Sequence, residues 1–104
     1  MDVNIEKIYL SLEQFIEEKM DLEEESTDVI VRLENGEFYI AAFFAYRNIN
    51  NKRLKNQTTG EYLGGQYFWQ ANMVLIENCS LDLIKTVIEH IVEEGDFYNV
   101  FRNI

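Results

Sequence analysis

Apolar positions near the start of the chain recur at three- and four-residue intervals. Ile5, Ile8, Leu12, Phe15 and Ile16 form one stripe, with Glu6, Lys7, Glu13, Gln14 and Glu17 opposite, and this spacing predicts a helix over residues 4–20. Asn4 or Asp2 would cap it. A charged connector, residues 21–28, carries no periodicity. The pattern then switches to strict alternation: Val29, Val31 and Leu33 interleave with Ile30, Arg32 and Glu34, followed by Asn35-Gly36. Alternation followed by Asn-Gly predicts a β-hairpin over residues 28–46 with a tight type I′ turn. That turn would set Leu33 against Phe38, Val31 against Ile40 and Val29 against Ala42 on one face. Arg32 would then lie beside Tyr39 and Ile30 beside Ala41 on the other. The second strand, Glu37 to Tyr46, is apolar on both faces, as a central strand should be.

Residues 48–56 predict a short helix anchored by Ile49 and Leu54, and Gly60, Gly64 and Gly65 mark a turn region. Tyr67 to Ile76 reads as a third strand, with Trp69, Ala71, Met73 and Leu75 facing inward. Ser80 is a good N-cap for a helix over Leu81 to Glu94, whose buried stripe is Leu81, Ile84, Val87, Ile88, Ile91 and Val92. Gly95 suits a left-handed C-cap, and residues 96–101 predict a helical turn that returns Phe97 and Phe101 to the core. The expected fold is α+β, one domain over residues 1–104. Its order is α-β-β-α-β-α, with a three-stranded, mostly antiparallel sheet and helices on at least one face. The expected core is Ile8, Leu12, Phe15, Val31, Ile40, Phe44, Trp69, Met73, Ile84, Ile88 and Ile91.

Composition narrows the functional classes. Nineteen acidic residues against nine basic ones give a formal charge of −10 and a pI near 4.4. Such an excess of acid disfavours nucleic acid and anionic membranes as partners. The longest apolar run, Phe38 to Tyr46, is far short of the ~20 residues that span a bilayer. The first residues lack the basic and then apolar regions of a signal peptide, and the lone Cys79 suits a reducing compartment, so a cytoplasmic location is expected.

Candidate chemistry is sparse. His90 is the only histidine; with Glu94 at i+4 it lacks the further ligands that a zinc site requires. Cys79 precedes a helix N-terminus, a position that can activate a thiol, yet the only histidine that could serve as its base lies eleven residues on, about three helical turns away. The stretch Gly60 to Gln66 contains glycines but not the Lys-Ser/Thr of a phosphate loop. The expectation is therefore no catalytic site, no metal and no cofactor.

Charge segregation is the stronger signal. Residues 13–28 hold eight acids and one base, whereas residues 46–60 hold Arg47, Lys52, Arg53 and Lys55 and no acid. Acids at a predicted helix C-terminus oppose the helix dipole, and Glu13–Glu17 and Glu17–Asp21 are like-charge pairs at i, i+4. A local rule broken without folding benefit invites a functional reading, against the plain alternative of solubility. Tyr62 and Tyr67, which flank Gly64-Gly65, are the aromatic contact candidates.

In size, acidic run, α+β pattern and lack of catalytic residues, the chain resembles the small acidic immunity proteins that accompany bacterial polymorphic toxins. The resemblance implies a non-enzymatic module that neutralises a basic toxin domain with carboxylates and aromatics. The expected contact residues are then Glu17, Glu18, Asp21, Glu23, Glu24, Glu25, Tyr62 and Tyr67. The basic segment Arg47 to Lys55 fits that picture less well. The alternative from another class is a homo-oligomeric small-molecule-binding or regulatory domain, a homodimer included, which uses the mixed sheet face and the Gly64-Gly65 loop.

Overall fold

The computed structural model describes residues 3–11 and 21–104. Five strands and four helical segments follow in the order β1 (Ile5–Leu10), β2 (Ser26–Leu33), β3 (Phe38–Ala45), α1 (Tyr46–Thr59), α2 (Glu61–Gly65), β4 (Met73–Ile76), α3 (Leu81–Glu93), α4 (Phe97–Val100) and β5 (Arg102–Asn103). The fold is α+β. Strands run β1-β2-β3-β4 across one sheet, and the short β5 also pairs with β3. Every pairing is antiparallel except β3 with β4. Three strands were too few, because residues 5–10 are a strand and β5 adds a fifth.

The helix expected over residues 4–20 is corrected for residues 5–10; Leu12, Phe15, Ile16, Glu17 and Glu18 lie outside the described residues. A bulge explains the misleading pattern. The register of β1 on β2 shifts between Ile5 and Lys7, so Ile5 and Ile8, three residues apart, both face the core with Leu10. One extra residue in a strand thus imitates the spacing of a helix.

The hairpin forms, one residue out of the expected register. Val31 pairs with Tyr39, Ile30 with Ile40 and Val29 with Ala41. Residues 34–36 make a three-residue loop. The Leu33 amide donates to the Glu37 carbonyl and the Gly36 amide to the Leu33 carbonyl, with Gly36 at φ 89°. Asn35 supports the loop: its side-chain oxygen accepts the Glu37 amide at 2.9 Å. Side chains alternate with period two, so this single step reverses β3. Tyr39, Ala41, Phe43 and Ala45 enter the core; Phe38, Ile40, Ala42 and Phe44 turn to the far face.

The third expected strand shrinks to Met73–Ile76 and reverses with β3. Val74 and Ile76 join the core, and Met73 and Leu75 face away. Trp69, placed in the core from its spacing, is 64% exposed and precedes the strand. The chain from 66 to 72 is irregular, because β5 takes the edge of β3 that a longer β4 would pair with: Arg102 and Asn103 lie against Ile40 and Tyr39, and Ile104 donates its amide to the Phe38 carbonyl.

The C-terminal third matches its pattern. Ser80 Oγ accepts the Leu83 amide at 3.3 Å and starts α3, whose Ile84 and Ile88 are fully buried against β2 and β3 residues of the same cluster. Gly95, at φ 78°, ends the helix with amide bonds from Gly95 to Val92 and from Asp96 to Ile91. The turn that follows stacks Phe97 on Phe101, 4.8 Å between centroids, and sets Tyr39 edge-on to Phe97 at 5.4 Å. Of the other expected core residues, Val31 and Phe44 are buried; Ile8, Ile40, Met73 and Ile91 are half-buried. Among the described residues no helix is long and apolar enough to cross a membrane.

Ile88 has no exposed surface, so Ile88→Ala should cost about 2–5 kcal/mol in a denaturant titration. A loss under about half a kcal/mol, the level typical of surface changes, would contradict the packing of α3 described above.

Candidate functional site

The connection from α1 to β4 carries the most unusual backbone. α1 ends at Gly60, and the chain then winds left-handed through Tyr62 (φ 52°), Leu63 (φ 53°), Gly64 (φ 66°) and Gly65 (φ 82°). For the two non-glycine residues this conformation costs about 1–2 kcal/mol each. Contacts hold it in place. The Tyr62 ring lies 5.4 Å from Tyr67 and 5.0 Å from Phe68, which in turn meets Phe44 on the far face of β3 at 5.6 Å. Lys52 of α1 stands over both Phe44 and Phe68, at 5.9 and 5.8 Å. A Cβ on Gly65 would come within 2.5 Å of the Arg53 carbonyl oxygen, so only glycine lets the turn seat on α1.

This anchored turn displays apolar side chains to solvent. Leu63 is 70% exposed, Trp69 64% and Tyr67 50%. Of the three, Leu63 sits on the left-handed backbone itself, where its exposed side chain gains no burial in return. Of the two tyrosines expected as contact residues, Tyr62 is half-buried as the anchor and Tyr67 lies at the surface against it. Leu63 and Trp69 were missed. Gly60, Gly64 and Gly65 around Leu63 were the available signal for the turn; Trp69 had none, because the strand that displaces it from the edge of β3 comes from the C-terminus.

The acidic run meets a partner within the chain. Arg47, in the first turn of α1, lies 3.3 Å from Asp21, 3.0 Å from Glu23 and 3.6 Å from Glu24. These side chains are about half exposed, so each pair contributes little to stability. Three carboxylates around one guanidinium leave an excess of negative charge at the surface. Glu25 is half-buried and its carbonyl accepts the Cys79 thiol at 3.3 Å. Glu17 and Glu18 lie outside the described residues.

Cys79 and His90 sit in unlike settings. Cys79 is 1% exposed between sheet and helix, and burial pushes its thiol up to about 11. A thiol so shifted is a packing group rather than a nucleophile at neutral pH. His90 lies at the exposed end of α3, 3.6 Å from Glu94. Among the described residues no group of three or more His, Cys, Asp or Glu side chains is placed to hold a metal ion.

No family model matches the chain, and no curated protein or solved structure matches it either.

Two outcomes follow from these contacts. Gly65→Ala should destabilise by roughly 1–3 kcal/mol, and by more than Gly64→Ala, since a Cβ at Gly64 meets nothing within 4 Å; equal unfolding midpoints for the two variants would contradict the contact with Arg53. Cys79 stays protonated in the fold after the unfolded thiol has ionised, so its contribution should fall as pH rises from about 9 through about 11. Denaturant titrations across that window should show stability declining, with a shallower decline in Cys79→Ala.

Proposed function

We propose that the chain is a protein-binding module that performs no chemistry of its own, an inhibitor of the immunity type that blocks a basic partner domain. The observation that carries this reading is the exposure of Leu63, Tyr67 and Trp69 on a backbone clamped by Gly65 and the Tyr62–Phe68–Phe44 contacts. Tyrosine and tryptophan dominate interface hot spots, and a rigid display loses less entropy on binding. The formal charge of −10 and the surplus carboxylates around Arg47 suit a basic partner. Charge of that sign raises the encounter rate, and the aromatic anchors hold the complex.

The test is kinetic binding to the partner recovered from the native host. Trp69→Ala should weaken affinity by about 2 kcal/mol or more, mainly by faster dissociation. Its melting temperature should hold, because the side chain is mostly exposed. Reversal of Glu23 and Glu24 to Lys should slow association at low salt and have little effect at high salt. Unchanged affinity in Trp69→Ala would remove the aromatic turn from the interface. A dimer in light scattering that Trp69→Ala dissociates would favour the homo-oligomeric alternative instead.

A further inference from the structure

The far face of the sheet carries a cleft that the aromatic turn does not use. Two adjoining cavities of about 300 and 280 Å³ share Asp28, Ala42 and Gln70 as lining. The first extends to Arg102 and the second to Lys52. Strand register explains the arrangement. Asp28 pairs with Ala42 on one side of β3, and Arg102 pairs with Ile40 on the other. Ile40 and Ala42 are two residues apart, so all four side chains project from the same face. Asp28 and Arg102 therefore stand two strand spacings apart and two residues offset along β3, about 12 Å between backbones, across a floor that the single methyl of Ala42 leaves low.

The charges along the cleft run cation, anion, cation: Arg102, Asp28, Lys52. None of the three forms an ion pair among the described residues, although Lys52 stands over Phe44 and Phe68. The wall opposite the strands is held firmly. Asn72, at φ 56°, accepts the Ala42 amide with its carbonyl and donates its side-chain amide to the Val100 carbonyl, each at 2.9 Å. Gln70, two residues before it, lines both cavities. The combined space lies in the range of small-ligand sites, roughly 300–1,000 Å³.

We propose that this cleft binds a free acidic amino acid. One carboxylate meets Arg102, the ammonium meets Asp28, the second carboxylate meets Lys52, and the methylenes lie over Ala42 beside the Gln70 amide. A simple dicarboxylate leaves Asp28 facing anions without a cation between them, and a neutral amino acid leaves Lys52 unused. The inference is independent of the protein-binding reading, because Leu63, Tyr67 and Trp69 line neither cavity.

Calorimetric titration of the whole chain with L-glutamate tests it, with glutarate, which lacks the ammonium, as the paired probe. L-glutamate should bind saturably, at least about ten-fold tighter than glutarate, as one charge-assisted hydrogen bond provides. Asp28→Asn should weaken L-glutamate by at least that factor and tighten glutarate. A damaged fold would weaken both, so the crossing of the two affinities separates recognition from structure. Arg102→Gln and Lys52→Gln should each weaken both probes, and Ala42→Leu should block both by filling the floor. The proposal is overturned by absence of saturable heat up to about 10 mM L-glutamate. Equal affinities for the two probes, or an Asp28→Asn variant that weakens both alike, would also overturn it.

Discussion

The register between β2 and β3 is the constraint on which the rest of the molecule depends. The three-residue loop, with Gly36 at φ 89°, sets Val31 against Tyr39 and not against Ile40. With that one step chosen, Ala41, Phe43 and Ala45 face α3, and Phe43 and Ala45 have no exposed surface. The same step lines the far face with Ile40, Ala42 and Phe44. Both neighbours on the other edge inherit it: β4 and β5 pair with β3, so Val74 and Ile76 turn inward while Arg102 turns outward. Core, cleft floor and the mount for the aromatic turn all descend from one loop.

Charge is distributed by face as well as by sequence. The acidic stretch from Asp21 to Glu24 gathers around Arg47, which draws the basic segment of α1 against the acidic run. Among the described residues the far face of the sheet collects Lys7, Arg32, Lys52 and Arg102, with Asp28 among them and Glu6 3.7 Å from Arg32. Three of these cations lie over rings: Lys7 over Tyr9 at 4.9 Å, Arg32 over Phe38 at 5.6 Å, and Lys52 over Phe44 at 5.9 Å. Ring faces attract cations, so the aromatic side chains that β1 and β3 turn outward also help hold the basic ones in place. Among the described residues, a strongly acidic chain thereby groups four of its cations on one face, which its net charge alone does not convey.

The left-handed turn places strain and exposure in the same few residues. Tyr62 and Leu63 adopt a backbone that costs free energy, and Leu63 gains no burial in return. The aromatic contacts of Tyr62 and the seat of Gly65 on Arg53 offset that cost. The result is an exposed Leu63 on an anchored turn, with Tyr67 and Trp69 exposed beside it.

Local signals sufficed wherever a segment's own residues carry its structure. The Ser80 cap, the amphipathic stripe through Ile84 and Ile88, the Gly95 stop and the return of Phe97 and Phe101 are all legible in sequence and all present. So is the hairpin at Asn35-Gly36. The errors share a different cause. β3 is apolar on both faces, so its side chains fit either register and only the loop geometry chooses. The bulge in β1 spaces Ile5 and Ile8 as a helix would, and only pairing with β2 reveals the extra residue. Trp69 alternates like a strand residue, but β5, from the other end of the chain, takes the edge of β3 beside it. The cleft joins residues 28, 42, 52, 70 and 102, whose proximity depends on which strands are neighbours. Periodicity and capping act within a few residues and are written locally; register, bulges and the meeting of distant charges are properties of pairing, and only the tertiary structure decides them.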